Sequence, residues 1–150
     1  MSIEFREMTP DDYAEVIDLW QKSPGIGLSS ADSKENIARY LKRNPGLSFT
    51  ARDGHRIVGA VLCGHDGRRG YIHHLAVSAA YQKQGIGHAL AEKCLHALQQ
   101  IDIRKCHIFV YTDNHQAITF WSNSGWVERV ELVLMSKDIP AAQEPFRSAE

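Results

Sequence analysis

The 150-residue chain sets 17 Lys and Arg against 18 Asp and Glu, a formal charge of −1 at neutral pH. That balance excludes bulk attraction to nucleic acid or to an anionic membrane, which needs a basic surplus. With 43% apolar and 23% charged residues, the composition suits one domain over residues 1–150 with a real core, and excludes disordered, collagen-like and disulfide-stapled chains.

The longest mostly apolar run, Ile57 to Cys63, falls far short of the ~20 residues of a membrane span. Met1 to Asp12 carries Glu4, Arg6, Glu7, Asp11 and Asp12 and lacks the apolar centre of a secretory signal, so a cytoplasmic location is expected. Cys63, Cys94 and Cys106 are an odd, widely spaced set that fits reduced, buried thiols.

Ser2 to Met8 alternates Ile3 and Phe5 with Glu4 and Arg6, the pattern of a half-buried strand. Thr9-Pro10-Asp11-Asp12 supplies a cap, a first-turn proline and acids favoured by the helix dipole. Tyr13, Val16, Ile17 and Trp20 then trace an apolar stripe as far as Ser23-Pro24-Gly25. After a loop from Gly25 to Ala31, Asp32 and Glu35 read as a capping box for a second helix through Ile37, Tyr40 and Leu41, stopped at Asn44-Pro45-Gly46.

Leu47 to Arg52 and Arg56 to Gly64 flank the turn Asp53-Gly54, and Asp66 to Gly70 turns the chain into Tyr71 to Val77, which predicts a three-stranded meander. Ile86, Leu90, Cys94 and Leu98 trace a helix to Gln100. Lys105 to Tyr111 reads as a strand, Asn114 to Asn123 as a short helix, Trp126 to Met135 as a last strand or pair of strands, and Ile139 to Glu150 as a polar tail. The order β-α-α-β-β-β-α-β-α-β predicts an α+β fold, a mixed, mostly antiparallel sheet with helices on both faces.

A strand feeding Gly85-Ile86-Gly87 at a helix start can seat a phosphate. Missing Cβ atoms admit ligand oxygens, free N–H groups point outward, and the helix dipole favours negative charge. Leu90 excludes the dinucleotide fingerprint, and no Gly-Lys-Ser/Thr is present for a P-loop.

Together, Ile72-His73-His74-Leu75-Ala76-Val77, then Tyr81-Gln82-Lys83-Gln84-Gly85-Ile86-Gly87, then Asn114, Ala117, Phe120, Trp121 and Gly125-Trp126, resemble the GNAT family of N-acetyltransferases across nearly the whole chain. The resemblance implies that Gln82, Gly85 and Gly87, with the amides of Lys83, Gln84, Ile86 and His88, bind the pyrophosphate of acetyl-CoA. It implies a bulged strand that splays from its neighbour, so that backbone near Leu75, Ala76 and Val77 pairs with the pantetheine arm. Asn114, Ala117 and Phe120 would line the same channel, with Trp121 beside them. The expected activity is transfer of the acetyl group from acetyl-CoA to a small-molecule, peptide or protein amine, by direct attack in a ternary complex and without a metal. The alternative is a catalytically weak or inactive CoA-binding sensor.

A lysine-like amine with a pKa of about 10.4 is only about 0.04% neutral at pH 7, so a base assists attack. Tyr71 stands where histone-acetylating relatives carry a glutamate. Period-two alternation puts Tyr71, His73 and Leu75 on one face and Ile72, His74 and Ala76 on the other. His73 is the expected proton relay, with His74 second, against the plainer reading of a packed core histidine. A backbone N–H near Leu75 would polarise the thioester carbonyl. Where many relatives place a tyrosine acid this chain has Trp121, whose indole cannot usefully release a proton; Tyr111 or a water would serve.

The remaining Cys and His residues are wrongly spaced for zinc. Arg68 and Arg69 read as a solvated turn, and Tyr13, Trp20, Tyr40, Phe49 and Phe109 as core. The resemblance places the acceptor at Gly25-Ile26-Gly27-Leu28-Ser29-Ser30, where two glycines suggest a mobile lip. The acceptor amine is left open, and so is a homodimer.

Overall fold

A computed structural model describes residues 2–145. Strands β1 (Ile3–Glu7), β2 (Phe49–Asp53), β3 (Arg56–His65), β4 (Gly70–Val77) and β5 (Cys106–Ile108) form one sheet in that spatial order. The first four pair antiparallel and β5 pairs parallel to β4, as a strand reached through a helical crossover must. Helices α1 (Tyr13–Gln21) and α2 (Lys34–Arg43) cover one face; α3 (Ile86–Gln100) and α4 (His115–Asn123) cover the other. The α+β sheet with helices on both faces is as the pattern predicts. Among the described residues no helix is long and apolar enough to cross a membrane.

Because β3 is central, both of its faces are buried. Ala60 and Leu62 pack with Val16, Trp20 and Ile37 on the α1/α2 side, while Val61 and Cys63 pack with Leu90, Cys94 and Leu98 on the α3 side. Trp20 is fully buried and roots α1 on the sheet. The Thr9 amide donates to the Asp12 carboxylate at 2.9 Å, closing a short 3-10 turn, Pro10–Asp12, ahead of α1.

Several expectations are corrected. Helix α2 is capped by Ser33, whose hydroxyl accepts from the Asn36 amide, while Asp32 and Ser29 cap the preceding 3-10 turn; Glu35 takes no part. The β5 strand keeps only three residues of the expected Lys105 to Tyr111 run, and Phe109, expected in the core, is 57% exposed.

No strand forms over Trp126 to Met135: the segment has no ladder partner, and Val127, Val130, Val133 and Met135 are each at least 80% exposed. β-branched and apolar residues favour a pleated, half-buried setting rather than a strand as such. The expected tail is irregular and mostly exposed from Ile139 to Pro145's preceding turn at 142–144; its last five residues, 146–150, lie outside the described residues.

Candidate functional site

The site grows from an irregularity in β4. Leu62 of β3 pairs with His73 and Ala60 pairs with Ala76, so two steps along β3 face three along β4. The extra residue makes a β-bulge, and His74 carries its unusual backbone at φ +55°. Strict alternation therefore fails at this point. His73 packs against Tyr40 of α2 and His74 against Trp20 of α1, so both imidazoles stand on the α1/α2 face instead of opposite faces.

Each histidine is held differently. The Nε2 of His74 lies 2.9 Å from Oδ1 of Asp32, and the other oxygen of that carboxylate accepts from the Ser29 amide at 3.0 Å. A carboxylate only accepts, so Nε2 is the donor in this pair. His73 stacks near-parallel on Tyr71 and Phe109, with centroids 6.4 and 6.1 Å apart. Burial pushes its pKa below the usual histidine value; neighbouring His74 adds to the shift and Asp32 opposes it. A neutral imidazole at pH 7 can accept a proton.

Beyond the bulge the sheet opens. The pairing of β4 with β5 covers residues 70–72 against 106–108, so the β4 edge from His73 to Val77 runs on past its neighbour. That edge leads into the Gln82–Gly87 turn. Lys83 at φ +63° and Gly85 at φ +83° bend the chain back, and Ala89 N donates to Gly85 O as the first rung of α3. The amides of Ile86, Gly87 and His88 precede that rung and have no intrahelical acceptor. Lys83, Gln84 and His88 are exposed. The Gln82 side chain is committed nearby, donating to Val77 O at 3.0 Å.

The fourth helix closes the other wall. A Cβ at Gly87 would lie in ordinary contact with the Phe120 ring at 3.4 Å and with Val77 at 3.7 Å, so helix start, ring and strand edge converge here. Asn114 caps α4, its Oδ1 accepting from the Ala117 amide at 3.1 Å. Trp121 belongs to the core: it is buried and edge-on to both Phe120 and Trp126, 5.0 and 4.9 Å away.

Tyr111 is exposed and its hydroxyl meets the Gly25–Ser30 loop, where a Cβ on Gly27 would collide with it; a Cβ on Gly25 would collide with the Asn114 amide. The loop glycines therefore admit close approach between the α1–α2 loop and the β5–α4 loop. The structure thus brings Tyr71, His73 and His74 together with Phe109, and separately sets Tyr111 and Asn114 against the glycines of the α1–α2 loop.

Asp32 is the residue sequence reasoning missed as part of this site. Asp32 was legible only as a helix cap, although an acid 42 positions before the histidine pair was there to be found. Nothing activates the Cys94 or Cys106 thiol: Cys94 is pushed up by its Cys63 neighbour and by burial, and Cys106 is pushed up to about 12, mainly by burial. Among the described residues no group of three His, Cys, Asp or Glu side chains could hold a metal ion. Arg68 and Arg69 lie in an exposed turn whose amides both donate to Asp66 at 2.8 Å.

Comparison with known proteins gives the same shape. The profile of the acetyltransferase (GNAT) family matches residues 13–126. An acetyltransferase of Photorhabdus laumondii is 30% identical over 147 residues, covering 95% of this chain and 99% of the relative. The PaiA N-acetyltransferase of Thermoplasma acidophilum in complex with coenzyme A superposes with a TM-score of 0.74 at 20% identity, over 83% of this chain and 89% of that one. The NatC complex bound to Gag peptide and CoA gives 0.74 at 20%, over 86% and 87%.

Proposed function

The chain belongs to the GNAT family of acetyltransferases, and from that premise we propose that it moves the acetyl group of acetyl-CoA onto a primary amine by direct attack in a ternary complex. The observation that carries this reading is the β4 edge, free of β5 from His73 to Val77 and ending at amides that precede the first rung of α3.

The residues present fit coenzyme A. The amides of Ile86, Gly87 and His88, with those of Lys83 and Gln84, would hold the pyrophosphate. The edge around Leu75 and Val77 would pair with the pantetheine amides as a neighbouring strand would, and Gly87 and Phe120 would border the arm, with Asn114 and Ala117 further along it. When bound, the thioester supplies an activated acyl group. The Leu75 amide would stabilise charge developing on its carbonyl oxygen.

On the acceptor side, His73 takes the proton released as the amine attacks, and the Asp32-oriented His74 stands beside it as the second candidate. Aligning both reactants on one strand supplies much of the rate. Trp121 is buried and would protonate nothing; Tyr111, exposed beside the α1–α2 loop, would deliver a proton to the departing thiolate, whose pKa of about 8.5 already makes it a fair leaving group. The peptide held by the NatC complex supports a peptide or protein amine among the acceptors. An α-amine, with a pKa of about 7.7–8.0, asks less of the base than a lysine.

A thiol-release assay over peptide N-termini, lysine peptides and small amines tests the reading. Release stimulated by one acceptor class, falling about 10²-fold in His73→Phe, is the expected outcome. Tight acetyl-CoA binding with no acceptor-stimulated release would instead establish the sensor.

A further inference from the structure

Strands β4 and β5 carry four rings on one face. Tyr71 pairs with His107 across the parallel ladder, so their side chains leave the sheet on the same side. The period of two then adds His73 along β4 and Phe109 just beyond β5. Tyr71 and His73 precede the bulge, so alternation still holds for them, and His73 meets Tyr40 on the α2 side of the sheet.

The rings of Tyr71, His73 and Phe109 are within 17° of parallel, and their centroids form a near-equilateral triangle with sides of 6.1–6.4 Å. His107 adds a fourth ring 5.7 Å from Tyr71, and Tyr40 stands edge-on to His73 at 6.3 Å. Parallel rings at the corners of such a triangle cannot all stack on one another, and Phe109 is 57% exposed, so ring surface is left facing solvent. Offset rings attract one another at centroid separations of about 4.5–7 Å, and a further planar ring can join the group on the same terms. Between Gly67 and Tyr81 and between Ile103 and Thr112 the sequence has no acid, while Arg68, Arg69, Arg104 and Lys105 flank the two strands. Asp32, the acid that reaches this face, is committed to His74 and to the Ser29 amide. That charge balance disfavours a polycation over the rings.

We propose that Tyr71, His73, His107 and Phe109 form the acceptor subsite and select an amine whose nitrogen is tethered through about three bonds to a planar aromatic ring. The inference rests on the transferase reading above, in which His73 takes the proton of the attacking amine. The centroid of His73 is 6.1 Å from that of Phe109, a span that a two-carbon tether between nitrogen and ring covers at about 1.5 Å per bond. The nitrogen then lies at His73 while its ring packs with Phe109 and Tyr71. Two sources present this chemistry: a free arylalkylamine, and a peptide whose first residue is aromatic.

The test adds 2-phenylethylamine, or its saturated counterpart 2-cyclohexylethylamine, to the full chain with coenzyme A present, and reads binding at the imidazole resonances of His73 and His107. The two amines share reach and basicity and differ in the planar ring. Saturable shifts at both histidines are expected, with the phenyl amine bound about three- to tenfold more tightly. Phe109→Leu, at an exposed position, should bring that ratio to about one, while coenzyme A still raises the variant's melting temperature. A tripeptide opening with phenylalanine, matched against one opening with cyclohexylalanine, repeats the comparison for a peptide, and the arm with the larger ratio identifies the source. Equal binding of the paired amines overturns the proposal, as does tighter binding of spermidine or a ratio that Phe109→Leu leaves unchanged. The expected ratio without thiol release from acetyl-CoA upholds the aromatic subsite and contradicts the transferase reading instead.

Discussion

Asp32 Oδ1 and His74 Nε2 stand 2.9 Å apart, tying the turn ahead of α2 to the bulge of β4. The pair is shielded, with side-chain exposures of 7% and 18%, and it fixes the strand at the point where β4 leaves regular pairing.

Asp32→Asn keeps the shape and removes the charge-assisted acceptor. Hydrogen bonds of that kind contribute about 1–3 kcal/mol, so the urea midpoint should fall by that equivalent. If His74 is only structural, kcat should survive once stability is restored by low temperature. If the pair positions the base, kcat falls with KM nearly unchanged. The urea midpoint and steady-state kinetics on the same preparation separate the two.

His73 gives a signed pH dependence. Burial lowers its pKa in the folded state, while the unfolded chain titrates near the ordinary value of about 6.5. Below that value the unfolded state binds more protons than the folded one. Stability is therefore whole above about pH 6.5 and is lost as pH falls toward the depressed folded pKa. Thermal melts of wild type and His73→Phe should converge above neutrality, apart from a constant offset. The wild type should lose stability more steeply as pH falls below about 6.5, and equal slopes would show that His73 titrates normally.

Gly27→Ala probes the contact between the two loops. Its Cβ would strike the Tyr111 hydroxyl, so the loop must shift and the apparent acceptor affinity should fall. Tyr111→Phe removes that oxygen and should restore acceptor KM in the double variant, though at reduced kcat if Tyr111 supplies the leaving-group proton. A double-mutant cycle on KM reads the coupling; simple additivity would mean that the loops do not touch in solution.

Trp121→Tyr would install the residue many relatives carry, but at a buried position packed against Phe120 and Trp126. The smaller ring leaves space and buries a hydroxyl, which should cost about 1–3 kcal/mol without raising turnover. A rise in kcat would show that the indole blocks an acid from reaching the thiolate.

Local signals carried most of the architecture. Period two located β1, the turns at Asp53-Gly54 and Asp66 to Gly70 located β2 to β4, the stripe from Ile86 to Leu98 located α3, and Gly85-Ile86-Gly87 located the phosphate-type turn, because each is written in neighbouring residues. Long-range pairing was not. The bulge that brings His73 and His74 to one face depends on how three residues of β4 meet two of β3, and the Asp32–His74 pair depends on how α2 docks on the sheet. Trp126 to Met135 has strand composition, yet a strand exists only where an edge accepts it, and the chain's own β5 is three residues long.

The central claim is that main-chain amides at the start of α3 hold the diphosphate of coenzyme A and set its arm along β4. An amide-resolved NMR titration of the isotopically labelled protein with coenzyme A tests it most directly. The account predicts saturable shifts at residues 83–88 and 74–77, with β1 unperturbed. Unmoved resonances at 83–88 under saturating ligand, or shifts confined to another surface, would contradict it.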